Sequence, residues 1–338
     1  MDVKFSTTSR PGSAQDVIQW VTAAENLGYY RVGIADSPAL YRDPWVSLTV
    51  AALNSQSVSL GVWVTNPVTR HPLITASAAA ALDEIAPGRF SIGIGTGNSG
   101  VYNTGHRASS VAALRDYVLT VRRLLEEGEA EYQGNAVRLP WAKRKIPIYI
   151  AAIAVKGLRL AGEIADGVII GSGTSPDVVK GALGAVSEGV AESGRDTRDL
   201  DIWWNVAFNL YTDPQGVLDP QGGATREANY LGRYTLEGKF IPDRYKEGIR
   251  KLAAAYDITT HGRPTAEQLQ HYDRLAKEYG VREYMYQRYR GITGTPDECV
   301  ERIRNLAKLG VTQLNLNVPD LDRPQRLKQM KELVIDRL

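Results

Sequence analysis

Two kinds of apolar pattern alternate along the chain. Short runs rich in β-branched and aliphatic residues fall at Val3–Thr8, Arg31–Ala35, Val58–Val64, Phe90–Ile94, Ile146–Ala152, Gly167–Gly171, Ile202–Tyr211 and Val311–Val318. Runs of this length and composition predict strands, most of them buried on both faces of a parallel sheet. Between them lie stretches with helical spacing. In 108–127, Val111, Leu114, Val118, Val121 and Leu125 form a single apolar stripe. Helices are also predicted over 14–27, 45–54, 72–86, 156–164, 177–193, 265–279, 296–309 and 323–337. Their punctuation agrees: Pro72 opens one, Pro87 and Gly88 close it, and Thr295 with Glu298 three residues on makes a capping box.

Eight strand-like segments alternating with helices predict an α/β fold, a (β/α)8 TIM barrel formed by one domain over 1–338. Such a barrel fills its interior with side chains and places its chemistry at the C-terminal strand ends. The rhythm breaks after the seventh strand. Residues 213–263 hold Gly222, Gly223, Pro242 and several aromatics, too many residues for a plain connection. They are expected to form a partly helical insertion, either a lid or wall of the substrate site or a plain surface excursion.

Composition narrows the partners. The 338 residues carry 40 Lys and Arg against 38 Asp and Glu, a formal charge of +2 with no basic block, so a nucleic-acid footprint is not expected. One cysteine, Cys299, supports neither a disulfide framework nor a Cys-rich zinc site, and the four histidines lack metal-binding spacing. MDVKFSTTSRPG has neither a charged region before an apolar core nor a long apolar span. The expectation is a cytoplasmic protein with no metal and no membrane partner.

The strand-end rule selects Asp36, Thr65, Asn66, Asn98, Ser99, Ala152, Ser172 and Asn205 as candidate site residues. Arg70 and His71 stand where a helix begins and are expected to shape the loop. His106, after Tyr102 and Asn103, is a second candidate catalytic group beside Asp36. For a phosphate, helix starts with small residues offer backbone N–H groups, and Ala152–Gly157 and Gly171–Ser175 meet that requirement. Trp204, Tyr211, Tyr230, Tyr234, Phe240, Tyr284 and Tyr286 are candidates to wall an apolar pocket.

Three segments carry a family resemblance: TNPVTRHP at 65–72, LDEIAPGRFSIGIGTGNSG at 82–100 and LRLAGEIADGVIIG at 158–171. In order and at barrel spacing, they resemble the bacterial luciferase-like superfamily. The likeness falls in its F420-dependent branch, related to methylenetetrahydromethanopterin reductase, with its flavin-using cousins alongside. The resemblance implies an oxidoreductase holding F420 or FMN non-covalently across the barrel mouth and exchanging hydride with a small organic substrate. With reduced FMN and oxygen it implies mono-oxygenation and a separate flavin reductase as partner. It further implies a non-prolyl cis peptide between Trp63 and Val64 beneath the ring, and Thr65 and Asn98 at the ring's polar edge. Ala152, Lys156, Gly157, Gly171 and Ser172 would surround the cofactor side chain, and the enzyme would be a homodimer. AAIAVKG departs from the family's usual Gly-Pro before the lysine, and Asp36 is followed by Ser37 rather than His, which disfavours the sugar-phosphate dehydrogenases of the group. Two other classes are weighed. One is a flavin or deazaflavin carrier without turnover; the other is a cofactor-free lyase or hydrolase, for which no compact Lys, Glu and His set is found.

Overall fold

Each apolar run forms a short strand, and the strands pair in parallel in chain order until the sheet closes on itself. They are β1 (Lys4–Ser9), β2 (Arg31–Ile34), β3 (Ser59–Thr65), β4 (Phe90–Ile94), β5 (Ile148–Ala152), β6 (Gly167–Ile170), β7 (Asp201–Leu210) and β8 (Gln313–Asn317). Closure comes from β8 pairing with β1, with Lys4 opposite Gln313. The computed structural model describes residues 2–211, 225–261, 264–318 and 322–338. Alternate residues of each strand face outward onto the helical ring, as the uninterrupted apolar runs require. The helix Val111–Glu126 buries Leu114, Val118, Val121 and Leu125 of its expected stripe. Thr295 closes the predicted capping box with Glu298 at the start of Pro296–Lys308.

Inward-facing side chains divide the barrel into two levels. The lower one is filled. Arg31, 4% exposed, lies over the rings of Trp63 at 4.5 Å, Tyr149 at 4.6 Å and Trp203 at 5.2 Å. Its Nη2 donates to the Tyr149 hydroxyl at 2.8 Å. Asp201 accepts from Tyr149 at 2.7 Å, from Trp203 Nε1 at 2.8 Å and from Gln313 Nε2 at 2.5 Å. Rings this large fit only because neighbouring inward positions are glycine. A Cβ on Gly33 would sit 2.7 Å from that of Trp63.

At the upper level the side chains are small or polar. Thr8 donates to Asn315 Oδ1 at 2.9 Å, and Asn315 Nδ2 donates to Asn205 Oδ1 at 2.8 Å. Val64, Ala151 and Asn205 are partly accessible and Ala207 is exposed, so the upper end of the barrel opens to solvent. On β3 the register slips between Val62 and Thr65 against β4, and the Trp63–Val64 peptide there is cis, as the resemblance implies.

Two small sheet elements were not expected. The hairpin Glu129–Tyr132/Asn135–Arg138 turns through Gln133 and Gly134, both at positive φ, without the usual Asn-Gly or Asp-Gly signal. Ile292–Gly294, three residues long, pairs with the upper end of β7.

Residues 213–224 and 262–263 of the expected insertion lie outside the described residues. The rest is helical, with Ala228–Gly232 and Asp243–Ala254. The helix expected over 265–279 forms as Ala266–Glu278, but Ala276 packs with Leu231, Ile249, Leu252, Val281 and Met285 in a cluster separate from the barrel core. The roof therefore continues past 263 through Arg282–Tyr289. Its apolar positions serve a second, smaller core, which a periodicity reading cannot distinguish from the first.

The lower plug depends on Asp201, because removing that carboxylate strands the Tyr149 and Trp203 donors and the Arg31 charge. Asp201→Ala should lower unfolding stability by about 3 kcal/mol, read from urea denaturation. A change within 0.5 kcal/mol, the range of about that size typical of plain surface substitutions, would show the network to be dispensable.

Candidate active site at the barrel mouth

The ends of β2, β3 and β4 bring the first candidates together. Thr65, the last residue of β3, donates its hydroxyl to Asp36 Oδ2 at 2.6 Å. Burial lifts the Asp36 carboxyl above the ordinary carboxylate range; the Thr65 bond and the Arg70 charge oppose this, and Asp43 reinforces it. Arg70 is itself engaged by Asp43 at 2.6 Å, and His71 Nδ1 accepts from Leu73 N at the start of Pro72–Ile85. Both therefore shape the loop, as expected. Ser37 donates to Ser99 at 2.9 Å, tying the β2 loop to the β4 loop. Gly100 allows this approach, since a Cβ there would lie 2.6 Å from the Asp36 carbonyl.

Trp63 and Val64 separate at this level. The Trp63 ring points down into the plug, against Tyr149 at 5.0 Å between centroids, so its side chain takes no part in the mouth. Val64 stays at the upper level, its Cγ2 3.5 Å from where a Gly95 Cβ would be. Asn98 is more telling. Both atoms of its amide are buried and complete no hydrogen bond. The Tyr230 hydroxyl, descending from the roof, is the polar group beside it.

The roof is docked on the strand-end loops. Tyr41 of the β2 loop donates to the His261 carbonyl at 3.1 Å. Tyr102 of the β4 loop donates to Tyr234 at 2.9 Å and lies beneath the Arg233 guanidinium at 4.0 Å. His106 lies outside this arrangement, exposed, with Nδ1 against the Thr104 hydroxyl and carbonyl at 3.1 and 3.0 Å.

Two helix starts face the opposite side of the mouth. Val155–Ile164 has no side-chain cap, its first residue donates to Gly238 O at 2.9 Å, and its first helical bond is Leu158 N to Ala154 O. The N–H groups of Lys156 and Gly157 thus have no helical partner. Gly157 lies close to Ala152, and the Lys156 side chain is exposed. At Pro176–Glu192, Ser175 caps nothing and its Oγ is buried without a partner. Ser172 is used by the scaffold: its hydroxyl donates to Ile153 O at 3.1 Å and its carbonyl accepts from Arg288 Nε at 2.8 Å. Gly171 has only an Ile153 methyl near its Cβ position, at 3.3 Å.

Several residues that build the mouth and its roof were not singled out in the sequence. Arg288 is fully buried and holds the Ser172, Lys239 and Phe240 carbonyls; one arginine in a polar helix carries no signal of that. His261 and Glu227 meet Tyr230 only through the fold. Tyr230 was legible merely as one aromatic among several, and one of those, Trp204, packs in the outer core with its Nε1 on the Gly173 carbonyl. Among the described residues no cluster of His, Cys, Asp and Glu could hold a metal ion, and no helix is long and apolar enough to cross a membrane.

An open mouth with unpaired buried polar groups on one side and two uncapped helix starts on the other defines a ligand-binding α/β barrel. Comparison makes the class specific: residues 2–313 match the model of the luciferase-like monooxygenase family, and the chain belongs to that family. It is 28% identical over 317 residues to a 5,10-methylenetetrahydromethanopterin reductase of Methanolobus tindarius, covering 90% of each chain. It is 27% identical to an F420-dependent glucose-6-phosphate dehydrogenase of Beutenbergia cavernae, covering 99% of this chain and 96% of that one. The solved coenzyme F420-dependent tetrahydromethanopterin reductase of Methanopyrus kandleri superposes with a TM-score of 0.78 at 24% identity, over 100% and 99% of the two chains.

Asp36 offers a direct check. Its folded pKa lies above the ordinary value of about 3.9, so between the two values the folded state holds more protons than the unfolded one. Stability contributed by this group therefore falls as pH rises through that window. Asp36→Asn should abolish this decline, giving a higher Tm than the native chain at pH 7 and no such gain below about pH 4. A variant less stable at pH 7 would show that the carboxylate is the favoured buried form.

Proposed function

We propose that the chain is an oxidoreductase that binds F420 or FMN non-covalently across the barrel mouth and exchanges hydride with a small organic substrate. The observation that carries this reading is the Asn98 amide just past the end of β4, buried with neither atom completing a hydrogen bond, in a mouth where Val64 at the end of β3 is partly accessible. Leaving such an amide unpaired costs on the order of 1–3 kcal/mol per group, and a ring edge bearing both a donor and an acceptor would satisfy it. The residues fit the group in two further respects. Lys156, Gly157 and the start of Pro176–Glu192 present helix N-termini to a side-chain phosphate, and Val64 supplies an apolar support beneath a ring. Trp63 would contribute backbone only, and Ser172 shape rather than a hydrogen bond.

When bound, such a group supplies hydride chemistry at one ring carbon and, as a reduced flavin, oxygen chemistry as well. The protein's own part is to orient the ring, exclude water beneath the roof and manage one proton near Asp36 and Thr65. Asp36, its carboxyl lifted above the ordinary range by burial and bonded to Thr65, is the better placed of the two catalytic candidates. His106 is exposed and belongs at most to the rim. F420 is favoured over FMN because a relative 27% identical across nearly the whole chain is named F420-dependent. The names of these relatives are those of reductases and dehydrogenases, which gives a carrier without turnover no support. A flavin reductase partner belongs to the FMN outcome alone.

The proposal extends to a cytoplasmic homodimer in which residues 1–338 act as one domain with the insertion as its roof. Val46 and Leu53 on Pro44–Leu53 and Ile74 on Pro72–Ile85 are 67%, 65% and 51% exposed on neighbouring helices, an apolar face suited to a second copy. Val46→Asp with Ile74→Asp should convert a dimer to a monomer by light scattering; an unchanged mass places the contact elsewhere.

Equilibrium titration with F420 and FMN, each oxidised and reduced, tests the main reading. Micromolar or tighter binding of one of them is expected, weakened about tenfold by Asn98→Ala. Oxygen uptake with reduced FMN would assign the monooxygenase branch. Failure to bind either cofactor would overturn the proposal.

A further inference from the structure

The roof carries a chain of three side chains that the mouth residues do not account for. Tyr230 Oη lies 2.8 Å from His261 Nε2, and Tyr256 Oη lies 2.6 Å from His261 Nδ1. Tyr41 anchors the His261 backbone, so the β2 loop fixes the ring's place. At the near end of this chain Tyr230 stands beside Asn98; at the far end Tyr256 is half-buried and stacked on Tyr272 at 5.5 Å.

Protonation logic gives this arrangement a direction. Burial and the charges of Arg226, Arg10 and Arg233 push the His261 pKa down to about 3, so the ring is neutral at physiological pH. A neutral imidazole donates from one nitrogen and accepts at the other. If Nε2 holds the proton, it donates to the Tyr230 oxygen and Nδ1 accepts from Tyr256. The Tyr230 proton is then released from the ring and free to point toward the Asn98 side of the mouth. The other acidic group near Tyr230 is Glu227, half-buried and 3.9 Å from Arg226, its carboxyl also raised by burial.

We infer that Tyr230 exchanges a proton with the substrate heteroatom during hydride transfer, with His261 and Tyr256 as the relay that restores it. The inference rests on the oxidoreductase reading above. In the reducing direction the carbon of a C=O, C=N or conjugated C=C substrate gains a hydride, with its electron pair, from reduced F420 or FMN. The Tyr230 O–H bond breaks and its proton forms the new bond at the heteroatom, or at the far carbon of the conjugated system. Tyr230 oxygen takes the Nε2 proton of His261, Nδ1 takes the proton of Tyr256, and water returns one to Tyr256. Substrate thus gains two electrons and two hydrogens, and the protein ends unchanged apart from the His261 tautomer, which resets when Nδ1 gives its proton to water and Nε2 takes one from water.

Nitrogen-15 NMR of histidine-labelled protein tests this without turnover. His261 should be neutral from pH 8 down to about pH 5 (more than a unit above a pKa of about 3, so less than a tenth charged), with the proton on Nε2, and Tyr230→Phe should shift its Nε2 signal. Adding oxidised F420, or FMN, should shift the Tyr230 Cζ resonance in tyrosine-labelled protein. For turnover, 2-cyclohexen-1-one serves as probe with the reduced form of whichever cofactor binds. Tyr230→Phe should lower the rate about 10²- to 10³-fold and change the solvent isotope effect, leaving cofactor affinity and Tm near those of the native chain. His261→Gln should lower it less. A proton on Nδ1, a Tyr230 signal indifferent to cofactor, or a larger loss in Glu227→Gln than in Tyr230→Phe would each overturn the relay. If the probe is not turned over, the NMR results decide alone. A native chain that binds neither cofactor defeats the oxidoreductase reading instead, so the two failures are distinguishable.

Discussion

The buried guanidinium of Arg288 sets the geometry of the mouth. Taking a charge of that size out of water is tolerated only when its donors are met. Here they reach Ser172 O at 2.8 Å, Lys239 O at 2.7 Å, Phe240 O at 3.0 Å and Tyr284 Oη at 2.7 Å. The first acceptor belongs to the loop after β6 and the next two to the roof, so one side chain locks the roof onto the barrel. The loop must bend to meet it. Gly173 adopts φ +110°, and a Cβ there would press on Arg288 itself. Lys239 extends the lock by donating to the carbonyls of Tyr230, Leu231 and Arg233, which satisfies the open end of Ala228–Gly232. Thus the position of Tyr230 above the mouth follows from the same buried charge that shapes the opposite wall.

Local pattern revealed the barrel and missed much of what covers it, for physical reasons. Strands buried on both faces leave continuous apolar runs, and all eight were legible within about two residues of their ends, the usual boundary error. The roof has no such signature. Asp243–Ala254 is mostly charged and buries only Gly248, Ile249 and Leu252, so its pattern resembles that of any solvated helix. Site residues divide the same way. The candidates Asp36, Thr65 and Asn98 could be selected because barrel topology brings strand ends together wherever they lie in sequence. His261 and Arg288 act through contacts across long separations that no spacing rule encodes. At Trp63 and Ser172 the side chains are committed to the scaffold, and position at a strand end cannot tell such a side chain from one that faces the mouth.

Unpaired polar atoms occur at both levels of the barrel, and their surroundings separate their meanings. Below, Arg31 Nε and Nη1 and Trp63 Nε1 complete no hydrogen bond. Yet the Arg31 charge faces three inward rings within 5.2 Å and Tyr30 at 5.3 Å, which offsets part of its desolvation. That space is lined by tryptophan and tyrosine. Above, Asn98 and Ser175 Oγ are equally unpaired but have no ring face in compensation, and they border the open end of the barrel. A fold that closes its lower donors with aromatic faces and leaves its upper ones to whatever enters has separated stability from binding along one axis. The roof then adds what a rigid barrel lacks, a hydroxyl whose proton is freed or held according to which nitrogen of one histidine carries its own.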